Sequence, residues 1–103
     1  MIMDKGLRYT KIVNEMHEIY KAKNADYGDS VHDTFLKYGL LSFLVRMEDK
    51  ISRLRSLTLK GKKEQRVKNE SIRDTLQDLA NYAILAIIEL DEQADTKNSE
   101  GIE

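Results

Sequence analysis

Between Asn69 and Leu90 the chain runs without a glycine or a proline, and this stretch limits the fold more than any other. Asn69 is placed to cap a helix, since its amide oxygen can accept from the free N–H groups of a first turn. An uninterrupted pattern of this length predicts one long helix. At about 100° per residue, Ile72, Leu76, Leu79, Ala83, Ala86, Ile87 and Leu90 fall on one side. Glu70, Asp74, Asp78 and Asn81 stack on the other at steps of four, four and three.

Beyond Leu79 the helix is apolar nearly all round, because Ile84, Leu85 and Ile88 continue the acidic side upward. Such a helix is expected to be central, buried by its own chain or by a second copy. Like charges at i,i+4 repel by a few tenths of a kcal/mol even when exposed. The acidic stripe therefore calls for compensation by a metal ion, by Arg and Lys of a neighbouring helix, or by solvent.

Composition narrows the class. A chain of 103 residues holds one domain with a single core. Lys+Arg number 17 against Asp+Glu 18, and a net charge of −1 argues against a duplex nucleic-acid coat, which needs a basic excess. Cysteine is absent, which removes disulfides and thiolate zinc sites. With His17 and His32 as the only histidines, a His-rich metal site is not expected. No apolar run approaches the roughly 20 residues of a membrane span, and no signal-peptide core opens the chain. The expectation is a soluble cytoplasmic protein. The absence of proline and the abundance of Leu, Ile, Lys and Glu favour an all-α fold, a small antiparallel bundle of three long helices and one short.

Along the chain, residues 4 to about 23 predict a first helix, with Tyr9, Ile12, Val13, Met16, Ile19 and Tyr20 on one side. His17 lies at the edge of its polar face and carries no assigned role. The segment Lys23-Asn24-Ala25-Asp26-Tyr27-Gly28-Asp29-Ser30 reads as a turn. Ser30 with Asp33 starts a short helix to Tyr38, which Gly39 ends. A third helix spans about 41 to 57, with Leu40, Leu44, Met47, Ile51 and Leu54 as its seam, flanked by Phe43. Residues 58 to 68 form a basic linker, which together with the helix start could hold a phosphate or simply be solvated. Residues 1–91 form one domain, and the polar tail of 92–103 is expected to fray.

A linker of about ten residues makes the two long helices antiparallel neighbours. Arg46, Asp49, Lys50 and Arg53 would then approach Glu70, Asp74 and Asp78. Mg2+ prefers one or two carboxylates, several waters and phosphate oxygens. Arg and Lys suit the remaining phosphate charge. The favoured ligand carries phosphates, and periodicity does not say whether it is cut or only held. A base needs a flat partner and a hydrogen-bonding edge. Tyr27, Asn81 and Tyr82 are the candidates, although both rings could equally be core and Asn81 a surface amide.

Three blocks also resemble a known family: Lys-Asn-Ala-Asp-Tyr-Gly-Asp-Ser at 23–30, Val-Arg-Met-Glu-Asp-Lys-Ile-Ser-Arg-Leu at 45–54, and Glu-Ser-Ile-Arg-Asp-Thr-Leu-Gln-Asp-Leu-Ala-Asn-Tyr-Ala at 70–83. They resemble the nucleotide-modification-associated domain, a small helical family met largely in phages and prophages. The likeness covers roughly residues 15–90, and the third block is its most specific part. It implies binding of, or action on, nucleotides. A weaker likeness is to the MazG-type all-α nucleoside triphosphate pyrophosphatases, which hold magnesium with Glu-x-x-Glu on one helix and Glu-x-x-Asp on a later one. This chain departs from that pattern. Glu48 adjoins Asp49 instead of lying three away, and Glu70 and Asp74 are spaced by four.

Two function classes follow. In one, Asp49, Glu70, Asp74 and Asp78 bind Mg2+, with Asp49, Glu70 and Asp74 activating water against a phosphoanhydride. In the other, the same pocket sequesters a nucleotide-derived immune signal intact, as an anti-defence sponge does. In both, Tyr27, Arg46, Lys50, Arg53, Asn81 and Tyr82 contact the nucleotide. A third class is an oligomeric packing module with no ligand. An oligomer is expected in any case, because Ile84, Leu85 and Ile88 extend the apolar surface beyond one face, and a second copy across a two-fold axis would cover them.

Overall fold

The computed structural model describes residues 4–27, 29–59 and 65–100, and side chains for 4–24, 29–59 and 69–98. All secondary structure among these residues is helical: α1 (Lys5–Tyr27), α2 (Ser30–Tyr38), α3 (Leu41–Leu59) and α4 (Gln65–Glu100). Three are long and α2 is short, as the periodicity predicts. The chain divides into two compact units, Met1–Val31 and His32–Glu103.

In the first unit Asp4 precedes the helix and its carbonyl accepts from Arg8 N at 3.0 Å, closing the first turn of α1. The helix runs one turn further than the sequence reading placed its end. Asn24, Ala25 and Asp26 contain no breaker, and extending a formed helix costs little. Of its apolar seam, Met16 is half-buried, whereas Tyr9, Ile12, Val13, Ile19 and Tyr20 are exposed. Glu18 accepts from Lys21 Nζ at 2.9 Å, and this bond and charge hold its carboxyl below the usual range.

In the second unit Gly39 ends α2 at φ +68, a conformation that glycine adopts without a Cβ penalty. Its N–H donates to Phe35 O at 2.7 Å, and its carbonyl then accepts from Ser42 N and Ser42 Oγ at the start of α3. This corner brings Phe35 of α2 against Phe43 of α3, both buried, with ring centroids 5.9 Å apart and planes tilted by 49°. That tilted arrangement is a favoured one for aromatic pairs.

Helices α3 and α4 pack against each other. Three contacts set their register: Arg46 with Tyr82, Lys50 with Asp78, and Arg53 with Thr75. Each step of four or three up α3 is matched by the same step down α4, so the helices run antiparallel. The buried line of α4 is Thr75, Ala86 and Glu89, with Leu79, Tyr82 and Leu85 half-buried beside it. This line is rotated from the side that the apolar count selects: Leu76, Ile87 and Leu90 are exposed at 50%, 57% and 42%. Ile84 and Ile88 are exposed as well. On α3 Phe43 is buried and the seam residues Met47 and Leu54 are half-buried, whereas Leu44 and Ile51, and Leu40 just before the helix, are exposed.

Helix α4 begins at Gln65, so Asn69 lies within it instead of capping it. It continues as helix to Glu100 through the stretch read as a polar tail. Residues 60–64, the centre of the basic linker, lie outside the described residues.

Phe43 is 1% exposed, and Phe43→Ala should cost about 3–5 kcal/mol in urea unfolding, the range for emptying a buried aromatic site. Leu59→Ala, at a position 74% exposed, should stay within about 0.5 kcal/mol.

Candidate functional site

The first grouping lies along one edge of the α3–α4 pair. Lys50 Nζ sits 3.1 Å from Asp78 Oδ2, with Lys50 half-buried and Asp78 43% exposed at the side chain. Arg53 Nε donates to Thr75 Oγ1 at 3.3 Å, and the buried Thr75 hydroxyl donates in turn to Ser71 O at 2.7 Å. The Arg46 guanidinium lies 5.8 Å from the centre of the Tyr82 ring, within cation–π range. From Lys50, Arg46 and Arg53 turn about 40° and 60° outward on α3, and from Asp78, Asp74 and Asn81 turn by the same angles on α4. In an antiparallel pair these turns are toward the same flank.

The sequence-chosen residues therefore divide. Arg46, Lys50, Arg53, Asp78 and Tyr82 are drawn into direct contacts across the interface. Asp49, Glu70 and Asp74 are exposed, and Asn81 is half-buried. Asp49 lies about 100° round α3 from Lys50. The four carboxylates do not gather as three ligand atoms at one point among the described residues, whereas a different group does. The backbone of Tyr27 closes α1, and its side chain lies outside the described residues.

That different group is His32, Glu89 and Glu92, whose ligand atoms all lie within 4.8 Å of one another. His32 comes from the first turn of α2, and the two glutamates from one face of α4 at i,i+3. His32 Nδ1 is 2.6 Å from Glu89 Oε2. The Glu89 residue is only 7% exposed, so its carboxylate needs this partner. Glu92 is exposed at the rim of a groove of about 680 Å³, which His32, Phe35, Glu89 and Thr96 also line. The three side chains could hold a divalent metal ion. Fourteen residues separate Asp78 from Glu92, about 21 Å along the helix axis, so the group is distinct from the α3–α4 edge.

The sequence pattern does not mark this group, because His32 is one of only two histidines, Glu89 lies in the apolar upper half of the long helix, and Glu92 opens the polar tail. The signal lay in Glu89-x-x-Glu92, two carboxylates three apart on a helix whose neighbours Ile87, Ile88 and Leu90 are apolar.

The model of the family described as nucleotide modification associated domain 1 matches residues 23–90. The chain belongs to that family, and the match spans α2, α3, the α3–α4 edge, His32 and Glu89, stopping short of Glu92. No curated protein and no solved structure matches the chain. The described helices include none long and apolar enough to cross a membrane.

A double-mutant cycle on Lys50 and Asp78 should give a coupling of about 0.2–1 kcal/mol, as for a partly exposed pair. It should shrink in molar salt, where the screening length falls to about 3 Å. A coupling indistinguishable from zero at low salt would remove this pair from the interface.

Proposed function

We propose that this domain binds a phosphate-bearing nucleotide or nucleotide derivative along the α3–α4 edge, with Mg2+ between its phosphates and the carboxylates. What carries the reading is the line of Arg46, Lys50 and Arg53 beside Asp74 and Asp78, inside the segment that places the chain in its family. Mg2+ keeps several waters and needs only one or two protein carboxylates when phosphates supply other oxygens. Asp74 with Asp49 or Glu70 meets that need without a gathered trio, and Arg46 and Arg53 take the remaining phosphate charge. The Arg46–Tyr82 stack offers a flat surface to a base, and Asn81 an amide edge.

Binding is favoured over turnover for a physical reason. Lys50 already neutralises Asp78, and Asp49, Glu70 and Asp74 stand exposed to water, so the described residues of this edge hold no desolvated carboxylate set to activate a nucleophile. Incubation of the protein with a ligand separates the two: a sequestering protein releases it unchanged on denaturation, whereas a pyrophosphohydrolase yields an Mg2+-dependent product.

Asp74→Asn keeps the shape of the side chain and removes its charge. It should abolish Mg2+-dependent nucleotide binding, read by calorimetry, while the helical circular dichroism and melting curve stay at wild-type values. Unchanged affinity in the folded variant would move the site off this edge.

We also propose that the domain works as a homo-oligomer. The exposure of Leu76, Ile84, Ile87 and Leu90 on one helix supports a second copy as the cover. Light scattering at micromolar concentration should return at least twice the chain mass of 11.9 kDa, and a monomer mass would defeat the proposal.

A further inference from the structure

We propose that His32, Glu89 and Glu92 form a binding site for a divalent first-row transition-metal ion of the Mn2+, Fe2+ or Zn2+ kind, separate from the Mg2+–nucleotide edge. The donor set decides the class of ion. Mg2+ and Ca2+ favour oxygen-only surroundings, whereas an imidazole nitrogen beside two carboxylates suits first-row transition metals.

Distance and burial both fit. Protein ligands bind such ions at about 2.0–2.2 Å, so two of them on one ion stand about 3–4 Å apart. The three ligand atoms here lie within 4.8 Å of one another, and the widest gap closes by rotating the exposed Glu92 side chain. His32 and Glu89, at 2.6 Å, need to part by about half an ångström to admit an ion bound at those lengths. Glu89 is more than nine-tenths buried, on a helix position where an apolar residue would pack at no electrostatic cost. A single imidazole partner explains why Glu89 is tolerated. It does not explain why a second carboxylate is directed to the same point. The groove beside Glu92 leaves room for water or a further ligand on the open side of an ion held by three side chains.

The simpler arrangement is a His32–Glu89 ion pair in which Glu92 takes no part, so Glu92 is the residue that separates the two. Tag-free full-length protein is titrated with Mn2+, followed by electron paramagnetic resonance. The expected result is one Mn2+ per chain, displaced by Zn2+ and not by an excess of Mg2+, with nitrogen coupling in the pulsed spectrum. Glu92→Gln lies at an exposed position and should fold normally. It should weaken Mn2+ binding by at least about tenfold, the loss seen when even an outer-sphere partner is removed. His32→Gln should remove the nitrogen coupling, which also excludes His17 as the source. Failure to bind either Mn2+ or Zn2+, or wild-type Mn2+ affinity in Glu92→Gln, would overturn the site. Displacement by Mg2+ at comparable concentration, or absence of nitrogen coupling, would do the same. Nucleotide affinity is read separately on Asp74→Asn, so this inference and the proposed function fail independently.

Discussion

The arrangement of the second unit depends on satisfying polar groups that α4 buries. Thr75 and Glu89 are 3% and 7% exposed, and each has a specific partner: Ser71 O and Arg53 Nε for the hydroxyl, His32 Nδ1 for the carboxylate. Apolar contacts tolerate a slide or a rotation at modest cost. A buried hydroxyl or carboxylate does not, because each orphaned group loses its solvation without compensation. Rotating α4 to bury Leu76 and Ile87 instead would carry Thr75 out of reach of Arg53. The polar contacts thus choose among packings that hydrophobicity alone leaves close in energy.

This selection places chemistry on one flank. Asp74 and Glu92 are eighteen residues apart, five full turns, and so share an angular position on α4 about 27 Å apart along the axis. The flank that carries the acids beside Arg46 and Arg53 is continued, further along the same helix, by the carboxylate that faces His32. A single helix fixes the distance between the two groups, and no loop is needed to position either. The basic edge favours phosphate oxygens, and the imidazole–carboxylate group favours a cation, so the two do not compete for one ligand.

The helices themselves were legible in the sequence because their periodicity is long and unbroken, and the Gly39 stop was legible because only a positive φ makes that corner. The Arg46/Lys50/Arg53 line was legible as a stripe, and its approach to α4 followed from the short connection. The interface angle was not legible. Counting apolar residues favours Leu76, Ile87 and Leu90, whereas the buried line includes a threonine and a glutamate, with Tyr82 half-buried beside it, whose partners Arg53, His32 and Arg46 lie far away in sequence. His32 and Glu89 are fifty-seven positions apart. No local pattern pairs them, and a glutamate among isoleucines near a helix end reads as solvated until a partner is found. The helix boundaries moved for a gentler reason. Asn24 to Asp26 and Gln65 to Lys68 have no strong preference, so the neighbouring helix absorbs them.

The apolar residues that the polar packing turns outward give the misjudged face a meaning of its own. Leu76, Ile84, Ile87 and Leu90 spread along four turns of α4, which is more than the scattered apolar side chains of an ordinary surface. A helix apolar on a second side is expected where a second surface covers it. With the proposed second copy as that cover, the face read as core from sequence would serve the copy, and the face buried within the unit serves the chain. On that reading the acidic–basic flank lies across α4 from the face that a copy would cover and at the margin of the face buried within the unit, which leaves it open to ligand.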